Sequence, residues 1–233
     1  MKNPSRLEVY KMFDQIAGTY DRLNRLLSFG QDQKWRRELS KHLTTEKPLR
    51  LLDIATGTGD QIFALLEAKI QLEKAVGIDP SSEMLQIAQK KLEKWSTPHI
   101  QFQQASAEKL PFSANSFDAV SLSFGIRNTS SVETALSEIH RVLKRKGKCL
   151  ILEFSLPPQP IRSFYLLYLR HILPKIGGWL SKHESAYRYL NQTIETFPHG
   201  KQFGALLKGA GFSEIKLFPM ALGAVTLYVG VKF

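Results

Sequence analysis

A short apolar run that stops dead on a glycine turn constrains this chain more than any other stretch. Leu51, Leu52 and Ile54 read as a buried strand, and the run ends at Ala55-Thr56-Gly57-Thr58-Gly59. Ile62, Phe63, Leu65 and Leu66 follow at helical spacing. Strand, glycine turn and helix form the first half of a nucleotide-binding βαβ unit. Gly57 and Gly59 let the backbone turn tightly and approach a ligand, because no Cβ blocks it. From Gly57 the loop reads Gly-x-Gly-x-x-Ile, so the third glycine of a dinucleotide fingerprint is missing. A pyrophosphate on the helix N-terminus favours that third glycine, whereas a nucleoside without phosphate does not need it. A second strand, Ala75–Ile78, ends in Asp79, 20 residues beyond Gly59. A carboxylate at a strand end and at that distance can accept ribose hydroxyls. Turn and acid together favour a nucleoside cofactor over a bare structural turn.

The alternation continues as strand 49–54, helix 60–69, strand 74–79, helix 82–95 with Ser81 or Ser82 as its cap, strand 100–104, strand 117–123, helix 131–145 and strand 148–154. Lys144-Arg145-Lys146-Gly147 suits a helix C-terminus, where cations meet the dipole and glycine follows the last turn. Repeated βα units predict a mostly parallel sheet with ligand at the strand C-termini. Residues 203–207 give a helix face, 215–218 a strand, and 224–233 a strictly alternating strand after a turn at Gly223. Two late strands that close together pair antiparallel.

Two regions depart from this rhythm. In residues 1–48, Phe13, Ile16, Ala17, Tyr20, Leu23, Asn24 and Leu27 keep helical spacing; Ser28-Phe29-Gly30 breaks it. Asp32 is expected to cap a second helix bearing Trp35, Leu39 and Leu43, ended by Pro48. No Gly/Ser linker follows, so 1–48 reads as a helical lid on a single domain spanning 1–233. Residues 155–200 open on Pro157, Pro158 and Pro160. Ile161–Leu173 is then apolar on nearly every face with cations interspersed, and Pro174 stops it. Trp179-Leu180 and Tyr187-Arg188-Tyr189-Leu190 continue the mixture. This insertion reads as a core helix with its partners, as an apolar wall for a greasy substrate with a membrane-touching helix, or as both.

Composition narrows the setting. The 233 residues can bury a sizeable core, and 43% hydrophobic content is ordinary for a globular chain. One cysteine excludes an internal disulfide and offers no zinc spacing. Cys149 sits in a core-strand run and is expected to be inert. His171, His183 and His199 lack a paired partner in sequence, so no metal site is expected. Met1-Lys2-Asn3-Pro4 carries no apolar signal core, and no stretch is long and apolar enough to span a bilayer. A cytoplasmic protein is expected, peripheral at the inner face of the membrane. The net charge of +11 favours an anionic membrane surface or a polyanion, or reflects solvated lysines alone.

With these residues in hand, the chain resembles a class I S-adenosylmethionine-dependent methyltransferase, and more narrowly the ubiquinone/menaquinone C-methyltransferases. The residues that carry it are Phe13-x-x-x-Ala17-x-x-Tyr20-Asp21-x-x-Asn24, Leu52–Asp60, Leu110-Pro111-Phe112, Ser123-Phe124-Gly125-Ile126-Arg127-Asn128, Leu152-Glu153-Phe154-Ser155 and Tyr187-Arg188-Tyr189-Leu190. The glycine segment marks only the superfamily; the Phe-Gly-Ile-Arg-Asn and Tyr-Arg-Tyr-Leu segments are specific. The resemblance implies an α/β, Rossmann-like seven-stranded fold with a mostly parallel sheet and one antiparallel C-terminal strand. It implies S-adenosylmethionine as methyl donor, contacted by Gly57 and Thr58 in the loop, Asp79 on the ribose, Ser106 and Ala107 near the adenine, and Ser123 near the methionine end. Relatives carry Asp or Asn where Ser106 stands, and a serine hydroxyl accepts a weaker bond from the adenine amine.

The implied reaction is methylation of a ring carbon on a lipophilic prenylated quinol. Demethylmenaquinol is the first substrate, a 2-methoxy-6-polyprenyl-1,4-benzoquinol of ubiquinone biosynthesis the alternative. A neutral aromatic carbon is a poor nucleophile; losing a phenolic proton makes it enolate-like. The protein must help remove that proton, exclude water and hold carbon and methyl close. By resemblance Arg127, Asn128 and Tyr20 do this, Arg127 as orienter and acidifier, since its own pKa forbids a base role. The bland alternatives are an ion pair of Arg127 with Glu133 or Glu138 and lid packing for Tyr20. A homodimer is an open expectation.

Rival classes fit less well. A reductase-type Tyr-x-x-x-Lys occurs only as Tyr228–Lys232, inside a terminal strand. An amino-methylating nucleic-acid enzyme wants Asn-Pro-Pro-aromatic where Ser123-Phe124-Gly125-Ile126 stands, so no nucleic acid is expected. A cysteine-based carbon methylator needs a loop thiol. A non-catalytic binding module would bind the cofactor without turnover.

Overall fold

A computed structural model describes residues 9–44, 46–95, 97–173, 175 and 184–233, without the side chains of 184–188. The expectations for Met1–Pro4, Pro174, Trp179-Leu180 and His183, and for the side chains of Tyr187 and Arg188, lie outside the described residues.

The apolar runs become strands β1 (Leu49–Ile54), β2 (Leu72–Asp79), β3 (Ile100–Gln104), β4 (Phe117–Ser123), β5 (Leu143–Phe154), β6 (Phe212–Met220) and β7 (Val225–Lys232). They form one sheet in the order β3-β2-β1-β4-β5-β7-β6. The first five pair in parallel, and β7 lies antiparallel to both neighbours. The order reverses between β1 and β4, which opens a crevice at their C-terminal ends.

Helices α1 (Val9–Leu27) and α2 (Gln31–Glu38) precede the sheet. Helices α3 (Asp60–Glu67), α4 (Ser82–Leu92) and α5 (Val132–Val142) cross over between strands. Helix α6 (Ile161–Leu167) runs on into a π turn at Tyr168–Ile172, and α7 (Glu184–Thr196) and α8 (Lys201–Gly209) follow. Both sheet faces are covered: Leu52, Val120, Ile139 and Phe203 belong to one apolar cluster, Leu51, Ile62, Ala119 and Leu150 to the other. A third cluster packs Ile16 and Leu23 of α1 against Leu169, Leu173 and Ile194. Helix α1 thus shares a small core of its own with the π turn after α6 and with α7.

Three boundaries differ from the sequence reading, and the cap of α4, left open between Ser81 and Ser82, is decided. Asp32 does not cap α2: Gly30 takes that position with φ 72°, and the buried Asp32 carboxylate turns to Arg25 and Ser28 instead. The following 3-10 turn ends at His42, well before Pro48, because Leu43 is already extended. Ser81 caps α4, accepting from Met84 N at 3.2 Å. The helix predicted over 131–145 stops at Val142, and β5 begins at Leu143, paired with Phe117. Lys144–Gly147 is therefore irregular strand rather than a helix C-terminus. Lys146 adopts φ 63° where the register shifts, and Lys144 Nζ reaches both Asp118 carboxylate oxygens at 2.9 Å. Pairing with β4 and that ion pair override the local helix-ending signal.

Candidate active site

The glycine turn closes β1 as the sequence requires. Gly57 has φ 54° and Gly59 φ 84°, both left-handed. A Cβ on Gly59 would sit 2.7 Å from the Phe63 ring, whereas one on Gly57 would meet nothing within 4 Å. Gly57 therefore faces open space at the floor of the crevice. Ala55 and Phe124, non-glycine residues just past β1 and β4, also hold positive φ values of 51° and 60°. Backbone strain at adjoining strand ends gathers where ligands bind.

Asp79 ends β2 at this floor. Its Oδ2 accepts Gly57 N and its Oδ1 accepts Ser81 N, each at 2.9 Å. Each oxygen keeps a lone pair, which suits a vicinal diol. Burial raises the Asp79 pKa to about 6, against the pull of those two N–H groups. The crevice continues past Met84 to Ser106 and Ala107 at one end and Ser123 and Gly125 at the other. Ser106 donates to Glu108, and the Glu108 carboxylate in turn accepts Ser130 N and its hydroxyl. Ser123 Oγ donates to Gln61 Oε1 at 2.8 Å. Thr58 does not line the crevice. Its hydroxyl donates to Asp21 Oδ1 of α1 at 2.6 Å, so its side chain holds the lid.

The lid crosses the crevice on a line of polar contacts. Ser81 Oγ donates to Asp14 Oδ1 at 2.5 Å, and Lys91 Nζ lies 2.6 Å from both Asp21 and Asp60. Phe13 and Tyr20 on the inner face of α1 line the crevice and also a second, largely apolar cavity. Each space holds roughly 1100 Å³ including its open mouth (1060 and 1120 Å³). Phe124 and Asn128 line both as well. Trp35, Phe154 and Tyr165 add aromatic walls to the second cavity.

Of the expected catalytic residues, Tyr20 and Asn128 stand on this shared wall, and Arg127 lines the apolar cavity but not the crevice, reaching on its other side a third space beside Ser130 and Glu133. Arg127 is 5% exposed. It is not paired with Glu133 or Glu138: Glu138 is held by Arg141, while Arg127 Nη1 lies 2.6 Å from both Glu153 Oε1 and Phe124 O. Burial pushes the Glu153 carboxyl up, and the adjacent guanidinium pulls it back. Burial also raises the Tyr20 pKa, opposed by Arg36, by a bond to Asn24 and by Arg127. Glu153 was quoted for the resemblance, but sequence reading gave it no role. A carboxylate inside Leu150-Ile151-Leu152-Glu153-Phe154 was the available signal, since a charge in a core strand requires a partner. Cys149, four residues earlier in β5, is buried with its thiol pKa pushed up, as an inert residue should be. Among the described residues no group of His, Cys, Asp and Glu could hold a metal ion.

The ubiE/COQ5 methyltransferase family model matches residues 1–232. The chain belongs to that family. A demethylmenaquinone methyltransferase of Chlorobaculum parvum is 42% identical, over 100% of this chain and 95% of its own. A ubiquinone/menaquinone biosynthesis C-methyltransferase of Geotalea uraniireducens is also 42% identical, over 97% and 96%. Among solved structures, a SAM-dependent methyltransferase from Thermotoga maritima superposes with a TM-score of 0.66 at 21% identity, covering 96% of this chain and 99% of that one. Family membership makes the chain an S-adenosylmethionine-dependent C-methyltransferase of quinone biosynthesis. The residues present fit that cofactor: open space over Gly57, a strand-end carboxylate with lone pairs to give, and a buried Asn128 Oδ1 without a hydrogen-bond partner. Among the described residues no helix is long and apolar enough to cross a membrane.

Proposed function

We propose that this enzyme methylates the ring carbon of demethylmenaquinol. One observation carries the reading: the crevice and the apolar cavity share Phe13, Tyr20, Phe124 and Asn128 as a common wall. A ring in the aromatic cavity therefore lies beside a cofactor in the crevice. The near-identical coverage of the Chlorobaculum relative, named for demethylmenaquinone, supports that head group.

When bound, S-adenosylmethionine supplies an electrophilic methyl group on a sulfonium centre. Asp79 would hold the ribose, Gly57 the loop side with Thr58 steadying the loop through Asp21, Ser106 and Ala107 the adenine, and Ser123 the methionine end. In the apolar cavity, phenolic oxygen that loses its proton must be met by a cation. Arg127 is that cation: Glu153 and the Phe124 carbonyl fix it, and its Nε has no hydrogen-bond partner. A preorganised guanidinium in a dry site stabilises an oxyanion far better than water does. Asn128 and Tyr20 orient the ring, and the lid excludes water.

The prenyl tail calls for a hydrophobic exit. Exposed Leu26, Phe29, Phe164, Leu167 and Ile172 each adjoin in sequence a residue that lines the cavity, exposed Leu222 lies two residues before Ala224, which also lines it, and Tyr168 Oη donates to Leu27 O at 2.9 Å to tie α1 to the insertion. With a net charge of +11, this apolar rim suits an anionic bilayer. The deciding assay offers the purified enzyme, with S-adenosylmethionine, either reduced demethylmenaquinone or reduced 2-methoxy-6-polyprenyl-1,4-benzoquinone. Preference for the first by tenfold or more in kcat/KM supports the reading; preference for the second replaces the head group, and turnover of neither rejects it.

A further inference from the structure

The reaction needs somewhere for the phenolic proton to go, and Arg127 cannot take it. The apolar cavity is poor in acceptors. Among the described residues that line it, Asp32 is the one carboxylate. Glu153 backs Arg127 but is 1% exposed and does not line the cavity.

Asp32 is built into the wall rather than left on it. It is 4% exposed, in the first turn of α2. Its Oδ1 accepts the Ser28 hydroxyl at 2.9 Å, and Ser28 lines the same cavity. Its Oδ2 is held by Arg25, which also reaches Asp60 at 3.3 Å. One turn along α2, Arg36 lines the cavity too, with an Nε that has no hydrogen-bond partner. Arg36, Arg127 and Tyr20 line the same cavity. The cavity therefore offers, around Tyr20, two cations for a developing oxyanion and one carboxylate–hydroxyl pair for the proton.

We propose that Asp32, through Ser28, is the proton acceptor for the quinol. The quinol O–H bond breaks, and its proton passes to Ser28 Oγ as Ser28 gives its own to Asp32 Oδ1. The electron pair left on the phenolic oxygen flows into the ring, whose carbon forms the new C–C bond to the methyl group as the donor's S–CH3 bond breaks and its electron pair stays on sulfur. The ring proton then passes to solvent, which restores the aromatic ring as a phenolate. Asp32, neutral in between while Arg25 stays with Asp60, returns the first proton through Ser28 to the phenolate oxygen and regains its pair with Arg25. Because quinol acidity decides how far an acceptor is needed, the dependence on Asp32 should shrink with a more acidic quinol.

The inference rests on the proposed quinol activity, and parental turnover of demethylmenaquinol is measured first; its absence would fell that reading, not this one. Asp32→Asn, Asp32→Glu and Ser28→Ala are then compared with the parent on demethylmenaquinol and on a chlorinated naphthoquinol of lower phenolic pKa. Calorimetry with S-adenosylhomocysteine and thermal melting serve as controls for binding and folding. The expected result is kcat down about 100-fold for Asp32→Asn and about tenfold for Ser28→Ala. Asp32→Glu should recover part of the loss, and the Asp32→Asn deficit should narrow at least fivefold on the acidic quinol. Equal deficits on both quinols, or Asp32→Asn turnover within threefold of the parent, would overturn it. Should Asp32→Asn fail to fold, Ser28→Ala keeps the Arg25–Asp32 pair and is judged on the same ratio.

Discussion

Arg127 Nη1 and Glu153 Oε1 lie 2.6 Å apart with neither residue more than 5% exposed. Two opposite charges have been taken out of water together, one at the end of β5 and one in the short turn after β4. Such a pair adds little stability by itself, but losing one member strands the other. Glu153→Ala should therefore lower unfolding free energy by about 3–5 kcal/mol, and the double variant with Arg127→Met by less. Urea titration of the two singles and the double checks this. A Glu153→Ala loss below 1 kcal/mol would contradict the buried pair.

Removing Arg127 should separate chemistry from cofactor binding. Arg127→Ala is expected to cut kcat by about 10²–10³. Since Arg127 does not line the crevice, S-adenosylhomocysteine affinity should stay within a factor of two. Parental turnover in Arg127→Ala would remove the residue from the reaction.

Asp79 and Ser106 differ in what they offer the cofactor. Asp79 carries a charge-assisted pair of acceptors, Ser106 one neutral hydroxyl already donating to Glu108. Asp79→Ala should weaken S-adenosylhomocysteine binding about 10- to 150-fold, Ser106→Ala about three- to tenfold. Calorimetry decides, and no change for Ser106→Ala would take Ser106 out of the site.

Asp53 makes stability fall with rising pH. It sits buried in β1, where Ser121 Oγ donates to its Oδ1 at 2.6 Å. Burial raises its pKa from 3.8 to about 6. The native state thus holds the proton more tightly than the unfolded chain. The stabilisation is complete below pH 3.8 and is lost as pH climbs through about 6. The difference amounts to about 3 kcal/mol. Asp53→Asn should flatten the parent's decline between about pH 4 and 6, leaving the similar contribution of Asp79. Urea midpoints at either end of that window test it; parallel curves would reject it.

The exposed rim predicts vesicle binding. Replacing Phe29, Phe164 and Leu222 by Ser together should weaken co-sedimentation with anionic vesicles at least tenfold while leaving turnover of a short-tailed quinol in detergent unchanged. Retained binding would move membrane contact elsewhere on the surface.

Much of the fold was legible in advance because its signals are local. The runs at 49–54, 100–104 and 117–123 became strands at the expected bounds. Gly57 and Asp79 met at one crevice, with Gly59 packed behind the turn against Phe63, because a turn and a strand end are each set by a few consecutive residues. The stretch 144–147 misled, since a basic run before glycine ends a helix locally, whereas its ladder partners lie in β4. Asp32 misled for the same reason: a cap signal gave way to Arg25 and Ser28.

The sequence by itself determined the alternation, the glycine turn and the strand-end acid, for burial period and left-handed backbone are written within a few residues. Only the tertiary structure decided that Glu153 partners Arg127 across 26 residues, that Thr58 holds Asp21 across 37, and that Asp32 lines the apolar cavity. Such pairings depend on strand order and on where the lid comes to rest. Neither leaves a periodic trace in the chain, because each is set by burial shared between distant segments.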